Sequence, residues 1–157
     1  MGVWLGIDPG EVRIGVAASD PAATVAVPID TVLRGKHDIT EICAIVDEKF
    51  AVGIVIGLPR SLSGEEGSAA VRARSFAERL ARRCHVQVRL VDERLTTVSA
   101  ARELHASGRN SRNSRAVIDQ TAAAVLLQST LDQMAARGAD VGELVSPSPD
   151  SGKGKGA

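Results

Sequence analysis

The first seventeen residues constrain the fold most strongly. Two short apolar runs, at residues 3–7 and 14–17, flank a Pro9-Gly10 turn, a pattern that predicts two neighbouring strands joined by a tight turn. Asp8 ends the first run, at the point where the strand leaves the core. A carboxylate there is held rigidly and close to solvent, as a metal ligand or a catalytic acid needs to be. The alternative is that Asp8 only opens an Asx turn, and this stretch alone favours neither interpretation.

Composition predicts one domain with an aliphatic core. The chain has 157 residues, of which 44% are hydrophobic and only 2% aromatic, so Val, Ile, Leu and Ala must fill the interior. Its 19 basic and 19 acidic residues cancel. Net charge therefore gives no steering toward nucleic acid, and any basic surface has to be local.

The apolar runs and the cysteines both favour an intracellular protein. No run approaches membrane-spanning length, and no basic segment leads into a long apolar one at the N-terminus. Cys43 and Cys84 lie in apolar helical patterns without metal-ligand spacing, which predicts buried reduced thiols rather than a disulfide. We expect a soluble, cytoplasmic protein without a membrane partner.

Alternation, apolar runs and helical spacing divide most of the chain into strands and helices. The strand at residues 52–57 is almost wholly apolar, as is typical of a strand covered on both faces, and Pro28 favours an edge position or a strand end for the third run. Three strands before the first helix imply a mixed sheet. The predicted elements are strands at residues 3–8, 13–17 and 24–29, a helix at 38–50, a strand at 52–57, a helix at 69–84, a strand at 86–91, and helices at 96–104 and 117–134.

The last third of the chain contains a polar loop, a buried helix and a tail. Residues 107–115 include no apolar residue and carry an arginine at every third position, which predicts a mobile loop. The final helix is apolar around much of its circumference, so we expect it to be mostly buried. Ser, Pro, Gly and Lys dominate the C-terminus. We predict a folded domain at residues 1–137 and a disordered tail at 138–157.

Three carboxylates lie at the ends of predicted elements: Asp8 after the first strand, Glu93 after the last strand, and Asp119 in the first turn of the final helix. Taken singly, Glu93 is more simply explained as an exposed strand-end residue that pairs with Arg94. Asp119 alone is explained as a first-turn acid that interacts favourably with the helix dipole, an interaction that contributes only ~0.3–1 kcal/mol. Together they indicate a site, because neighbouring strand ends of an α/β sheet meet at one edge. Three acids there would repel each other strongly unless a cation lay between them.

The chemistry of that cation follows from its ligands. Hard divalent ions such as Mg²⁺ or Mn²⁺ prefer oxygen ligands, and two of them can clamp the attacking water and the leaving oxygen of a phosphodiester. The sequence shows no histidine near a motif serine, no zinc-type Cys/His spacing and no phosphate-binding loop of the G-x-x-x-x-G-K-[ST] type.

Five sequence blocks, in the same order, resemble the YqgF/RuvX family of the ribonuclease H-like superfamily. They cover roughly residues 2 to 135, and together they are far more specific than any one of them. The blocks are Gly6-Ile7-Asp8-Pro9-Gly10, Arg13-Ile14-Gly15-Val16-Ala17, Ile56-Gly57-Leu58-Pro59 with Gly64, Asp92-Glu93-Arg94-Leu95-Thr96-Thr97, and Ile118-Asp119-Gln120-Thr121-Ala122-Ala123.

The resemblance implies an α/β fold of the ribonuclease H-like type, with a five-stranded mixed sheet and helices on both faces. It also implies a nuclease that matures the 5′ end of pre-16S rRNA and resembles Holliday-junction resolvases, with an acidic triad at Asp8, Glu93 and Asp119. The sequence departs from the family at Pro9, where an aromatic residue is expected. It also departs in the arginine-rich loop, where lysines are common.

Our hypothesis is metal-dependent phosphodiester hydrolysis. Asp8 would bridge Mg²⁺ or Mn²⁺ ions, and Glu93 and Asp119 would complete their ligand shells. We expect structured RNA as the substrate, with branched DNA as the alternative; paired incision of a four-way junction would need a homodimer. The arginines assigned to nucleic-acid binding, each with a merely solvated role as the alternative, are Arg109, Arg112 and Arg115 in the loop, and Arg13, Arg60 and Arg94 along the same edge.

Two rival functions belong to other classes. The first is a non-catalytic nucleic-acid-binding or ribosome-assembly factor with the same fold, against which the intact acidic triad argues. The second is half of an actin/sugar-kinase-like ATPase, which also opens with a strand followed by Asp-x-Gly. The chain is too short for the second lobe that such a nucleotide cleft requires.

Overall fold

The computed structural model describes residues 2–61, 63–93 and 112–146, with residues 112–118 described by their backbone alone. Within these ranges the chain forms a mixed six-stranded sheet and three helices. The elements are β1 (Val3–Pro9), β2 (Arg13–Ser19), β3 (Ala26–Leu33), α1 (Asp38–Lys49), β4 (Ala51–Leu58), α2 (Ser68–Arg83), β5 (Gln87–Asp92), α3 (Arg112–Arg137) and β6 (Glu143–Leu144).

The sheet has the strand order β3-β2-β1-β4-β5-β6. The β1–β2, β2–β3 and β5–β6 pairs are antiparallel, whereas β1–β4 and β4–β5 are parallel. The predicted mixed α/β sheet is confirmed, as is the edge position of β3. The sheet has six strands rather than the predicted five, because residues 143–144 add a short strand beside β5.

That sixth strand also moves the end of the folded domain. The tail was predicted to begin at residue 138, but Val141 is buried and Val145 packs on the core. A two-residue strand is too short to give a periodic signal, and the Ser, Pro, Gly and Lys residues that follow it dominate the composition, so the predicted boundary lies too early. Residues 147–157 lie outside the described residues, and their disorder stays a prediction.

Helices cover both faces of the sheet, as predicted. Side chains alternate along β1: Leu5 and Ile7 belong to the core beneath α1 and α2, and Trp4 belongs to the core beneath α3. None of the helices in the described ranges is long and apolar enough to cross a membrane.

Glycines let α3 lie directly on the sheet. A side chain at Gly15 would overlap the carbonyl group of Asp119, and a Cβ at Gly6 would lie 2.8 Å from the carbonyl oxygen of Ala123. The helix backbone therefore contacts the strand backbone at both positions. This close approach fixes the height of α3 above β1 and β2.

The start of α3 differs from the prediction. The helix begins at Arg112 rather than near Val117, so Arg112 and Arg115 lie in helical backbone, and Asp119 lies beyond the first turn. The apolar pattern begins only where the helix reaches the sheet, so it cannot report the polar turns before that point. The predicted helix at 96–104 lies outside the described residues.

The cysteine prediction is wrong. Cys43 on α1 and Cys84 at the end of α2 form a disulfide, with their Cα atoms 5.5 Å apart. The sequence separation of 41 residues does not reveal that these two helices lie side by side. The pairing depends on tertiary packing alone.

A chain of ion pairs connects the loop after β4 to the C-terminal strand. Arg74 on α2 contacts Glu66 at 2.7 Å and Glu143 on β6 at 2.8 Å. Arg60 contacts Glu66 at 3.1 Å and Asp92 at the end of β5 at 3.5 Å. Hydrogen bonds from Arg74, helped by the charge of Arg60, lower the pKa of Glu66 to about 2. We call these five residues the ion-pair chain.

Replacing Gly15 with Ala should destabilise the protein by about 1–3 kcal/mol, because the added methyl group overpacks the contact between β2 and α3. Urea unfolding measures the change. Gly35→Ala is the matched control, since a Cβ there meets no atom within 4 Å. Equal stability of the two variants would contradict the close approach.

Glu66→Gln should lower stability at neutral pH and lose this effect in acid. The folded-state pKa of Glu66, about 2, lies below its ordinary value of 4.5, so the carboxylate stabilises the fold above pH 4.5, and this stabilisation is lost as the pH falls toward 2. Denaturation midpoints at pH 7 and pH 3 measure the difference between variant and wild type. Glu65→Gln, which removes the neighbouring exposed charge outside the ion-pair chain, should show no such change.

Candidate active site

Asp8 lies at the carboxyl end of β1 and is only 3% exposed. It shares a face of the sheet with Gly6, two residues earlier, and Gly6 faces α3. Its partner on β2 is Gly15, the residue on which the backbone of Asp119 packs. The predicted position of Asp8 at a strand end is confirmed.

Glu93 follows β5 directly and is also buried. Its carboxylate lies over Gly57 at the end of β4, where a Cβ would be 2.6 Å from Glu93 Oε1. Since Ile7 pairs with Ile56, the next residues along these parallel strands, Asp8 and Gly57, are neighbours. The missing side chain at position 57 therefore leaves the space in which Glu93 reaches toward Asp8.

Asp119 approaches the same edge from α3. Its Oδ1 atom lies 3.9 Å from the position that a Cβ on Gly10 would take, and Gly10 belongs to the turn that follows β1. The side chain of Asp119 is half-buried. The three predicted acids therefore come from a strand end, a loop and a helix that meet at one end of the sheet.

A cleft of about 140 Å³ opens at this edge. Asp8 and Glu93 both line it, together with Gly10 and Gly57. Asp119 is not among the lining residues but lies beside Gly10. The structure thus brings two of the predicted acids into one cleft and places the third next to it.

The donor set suits a hard divalent cation. Asp8 and Glu93 present carboxylate oxygens to the cleft, and Mg²⁺ commonly binds one or two carboxylates, completing its shell with water and substrate phosphate. In the part of the chain that the structure describes, no three histidine, cysteine or acidic side chains form a group that could hold a metal ion. The carboxylates of Asp8 and Glu93 fit such an ion, and Asp119 lies beside Gly10 rather than in the lining of the cleft.

The predicted nucleic-acid contacts have different surroundings. Arg13, at the start of β2, is half-buried next to the turn that contains Gly10. Arg60 belongs to the ion-pair chain and lines a separate cavity beside β5 and β6. Arg94 and Arg109 lie outside the described residues, as do the side chains of Arg112 and Arg115.

Sequence reasoning missed two arginines that line the cleft, Arg34 and Arg72. Burial lowers the pKa of Arg34, as do the like charges of Arg79 and Arg72, while the carboxylate of Asp38 raises it. Arg72 is one of several arginines on α2, a pattern typical of a solvated helix face, and Arg34 follows β3 in a segment without a motif. Only a pattern that foresaw the contact between α2 and the end of β3 could have identified them.

Comparisons with known proteins identify the family of the chain. Residues 2–133 match the family model described as "RuvX: Holliday junction resolvase". A protein of Nocardioides sp. named "Putative pre-16S rRNA nuclease" is 54% identical over 150 residues, which cover 92% of this chain and 96% of the relative. A protein of Thermobifida fusca with the same name is 50% identical over 158 residues, with coverages of 94% and 98%.

Among solved structures, RuvC of T. thermophilus in complex with a Holliday junction substrate superimposes with a TM-score of 0.52. The likeness covers 90% of this chain and 99% of that chain, at 13% identity. At this identity it shows the fold alone, and it confirms the predicted ribonuclease H-like architecture. The matches in sequence, length and fold agree: the chain belongs to the RuvX family of resolvase-like nucleases.

Proposed function

We propose that this protein is a cytoplasmic, metal-dependent nuclease that hydrolyses phosphodiester bonds in maturing the 5′ end of pre-16S rRNA. The observation that carries the proposal is the pair of buried carboxylates, Asp8 and Glu93, lining one cleft at the carboxyl ends of β1 and β5. The names of relatives at 50% and 54% identity support the substrate class.

Asp8 and Glu93 are the residues that would hold Mg²⁺ or Mn²⁺. A bound divalent ion supplies a water of lowered pKa that can attack phosphorus, and it neutralises charge on the phosphate. The chain's own contribution is rigidity: Asp8 is fixed by two neighbouring strands, and Gly57 leaves room for Glu93. Asp119, beside Gly10 at the same edge, stays our predicted third residue of the ligand shell.

Substrate binding away from the reacting phosphate needs positive charge. Arg13, Arg94, Arg109, Arg112 and Arg115 remain our predicted contacts to the nucleic-acid backbone, because arginine binds phosphate through a planar fork of donors. The charge of Arg60 is balanced by Glu66 and Asp92. We therefore expect that replacing Arg60 lowers the stability of the fold more than it lowers the affinity for nucleic acid.

A second candidate function is cleavage of four-way DNA junctions. The description of the matching family model favours it. Symmetric incision would require two copies of the cleft related by a two-fold axis. Product mapping on a pre-16S leader RNA and on a four-way DNA junction, together with the mass of the protein in solution, separates the two candidates.

Asp8→Asn should reduce metal-dependent cleavage at least about 10²-fold, because the amide binds the divalent ion less tightly, and the ion lowers the pKa of the attacking water and neutralises charge on the phosphate. The amide keeps the volume of the carboxylate, so folding and substrate binding should change little. A product-mapped assay with Mg²⁺ and with Mn²⁺ measures cleavage, and gel-shift titration measures binding. Glu93→Gln should behave in the same way.

Asp47→Asn is the matched control, because it makes the same chemical change on the exposed face of α1, away from the cleft. Full turnover by Asp8→Asn would reject the assignment of the site. Asp119→Asn measures the contribution of the third acid: a loss equal to that of Asp8→Asn would place it among the metal-holding residues.

A further inference from the structure

Arg34 is held rigidly at the cleft by three contacts. Its backbone N–H donates to the carbonyl oxygen of Val12 at 2.9 Å, and its side-chain Nε donates to the carbonyl oxygen of Gly10 at 2.7 Å. Its guanidinium carbon lies 5.0 Å from the ring centroid of Phe76, a buried residue of α2. A long side chain is thereby fixed in one conformation without using its terminal NH₂ groups in these contacts.

The positive charge at this wall is only partly balanced. Arg34 makes no salt bridge with any of the residues that the structure describes. Arg72 lines the cleft beside it, and its ion pair with Glu11 is long, at 3.9 Å, with both side chains more than half exposed, so the pair contributes little. Arg79 also lies over the Phe76 ring, but it is not among the lining residues, and its charge is paired with Asp38.

Asp38, whose charge raises the pKa of Arg34, is already engaged. Both carboxylate oxygens of Asp38 are used: one accepts from the backbone N–H of Ile39 at 2.7 Å and pairs with Arg79 at 3.4 Å, and the other accepts from the N–H of Gly35 at 3.3 Å. Asp38 therefore lowers the local potential without blocking the donors of Arg34. The cleft keeps a positive wall.

Asp8 and Glu93 line the same cleft as Arg34 and Arg72, and positive charge there suits an anion. Helix α2 begins at the cleft, with Ala69 and Ala73 among its lining residues, and small side chains leave room there. The first turn of α2 contains no acidic residue, so the partial positive charge of the helix N-terminus adds to that of the arginines.

We propose that Arg34, with Arg72 beside it, binds the phosphodiester that occupies the cleft in front of Asp8 and Glu93. The inference rests on the proposed nuclease function and names its phosphate-binding group. A guanidinium whose Nε already donates to Gly10 keeps its terminal NH₂ groups as donors. These groups can donate to phosphate oxygens as a bidentate pair. It also offsets the repulsion that a phosphate meets when it approaches two carboxylates.

A purely structural role is the competing explanation, because Arg34 also ties the Gly10 turn to α2. Arg79 provides the matched control: it lies over the same ring at 5.7 Å but does not line the cleft. Arg34→Gln, Arg34→Lys and Arg79→Gln are compared with wild type, and thermal unfolding shows which variants fold normally.

Two readouts separate phosphate binding from structure. The first is the salt dependence of binding to a pre-16S leader hairpin and to a four-way DNA junction, measured with every variant in the Asp8→Asn background. Arg34→Gln should reduce the slope of log K against log salt by about 0.7–0.9, the value of one phosphate contact.

The second readout is kcat/KM with Asp8 intact. It should fall about 10²–10³-fold in Arg34→Gln. The fall should be smaller in Arg34→Lys, which keeps the positive charge but loses the planar pair of donors. Arg79→Gln should leave both readouts unchanged.

The outcomes distinguish this inference from the proposed function. If wild type cleaves neither substrate, the nuclease proposal fails, and the salt slope in the Asp8→Asn background still decides the role of Arg34. If wild type cleaves while a folded Arg34→Gln keeps the wild-type slope and kcat/KM, the inference is overturned. If Arg34→Gln does not fold, Arg34→Lys decides: a loss of kcat/KM at an unchanged unfolding temperature supports phosphate binding, and undiminished kcat/KM overturns it.

Discussion

The contact on which the site depends is the direct packing of helix backbone on strand backbone. Gly6 and Gly15 carry no side chain that would hold α3 away from the sheet, so Ala123 and Asp119 lie against β1 and β2. Interiors are packed densely enough that a single added methyl group must move its neighbours. The position of the third acid is therefore set by two residues that have no side-chain chemistry of their own.

The same principle shapes the cleft at the neighbouring strand. Gly57 makes space for a carboxylate from the following loop, and the parallel register brings that space beside Asp8. Around these acids the chain separates its charges, with carboxylates at the strand ends and arginines where β3 meets α2. A cleft lined by residues of both charges suits a ligand that combines a cation with a phosphate. Mg²⁺ bound to ATP is such a ligand too, so the match of residues 2–133 to the RuvX family model, rather than the charge pattern, favours the nuclease over the ATPase alternative.

Much of this arrangement could be predicted from residue patterns, and the failures share one cause. Asp8 and Glu93 were identifiable because each ends an apolar run, a signal that lies within a few residues. The pairing of Cys43 with Cys84, the strand at residues 143–144 and the cleft position of Arg34 all depend on which elements pack together. Arg72 is one of several arginines on α2, and nothing in their spacing tells which one faces the acids. The start of α3 was misplaced because the turns before its contact with the sheet carry no apolar residue.

The short strand β6 has a consequence for how the domain ends. It covers the outer edge of β5 with pairs at Arg89 and Leu90, and Arg74 anchors it through Glu143. A chain shortened to the end of α3 would leave a hydrogen-bonding edge open on a buried, aliphatic strand, and open edges recruit other chains. Two residues of the predicted disordered tail thus shield part of the edge of the strand that leads into Glu93.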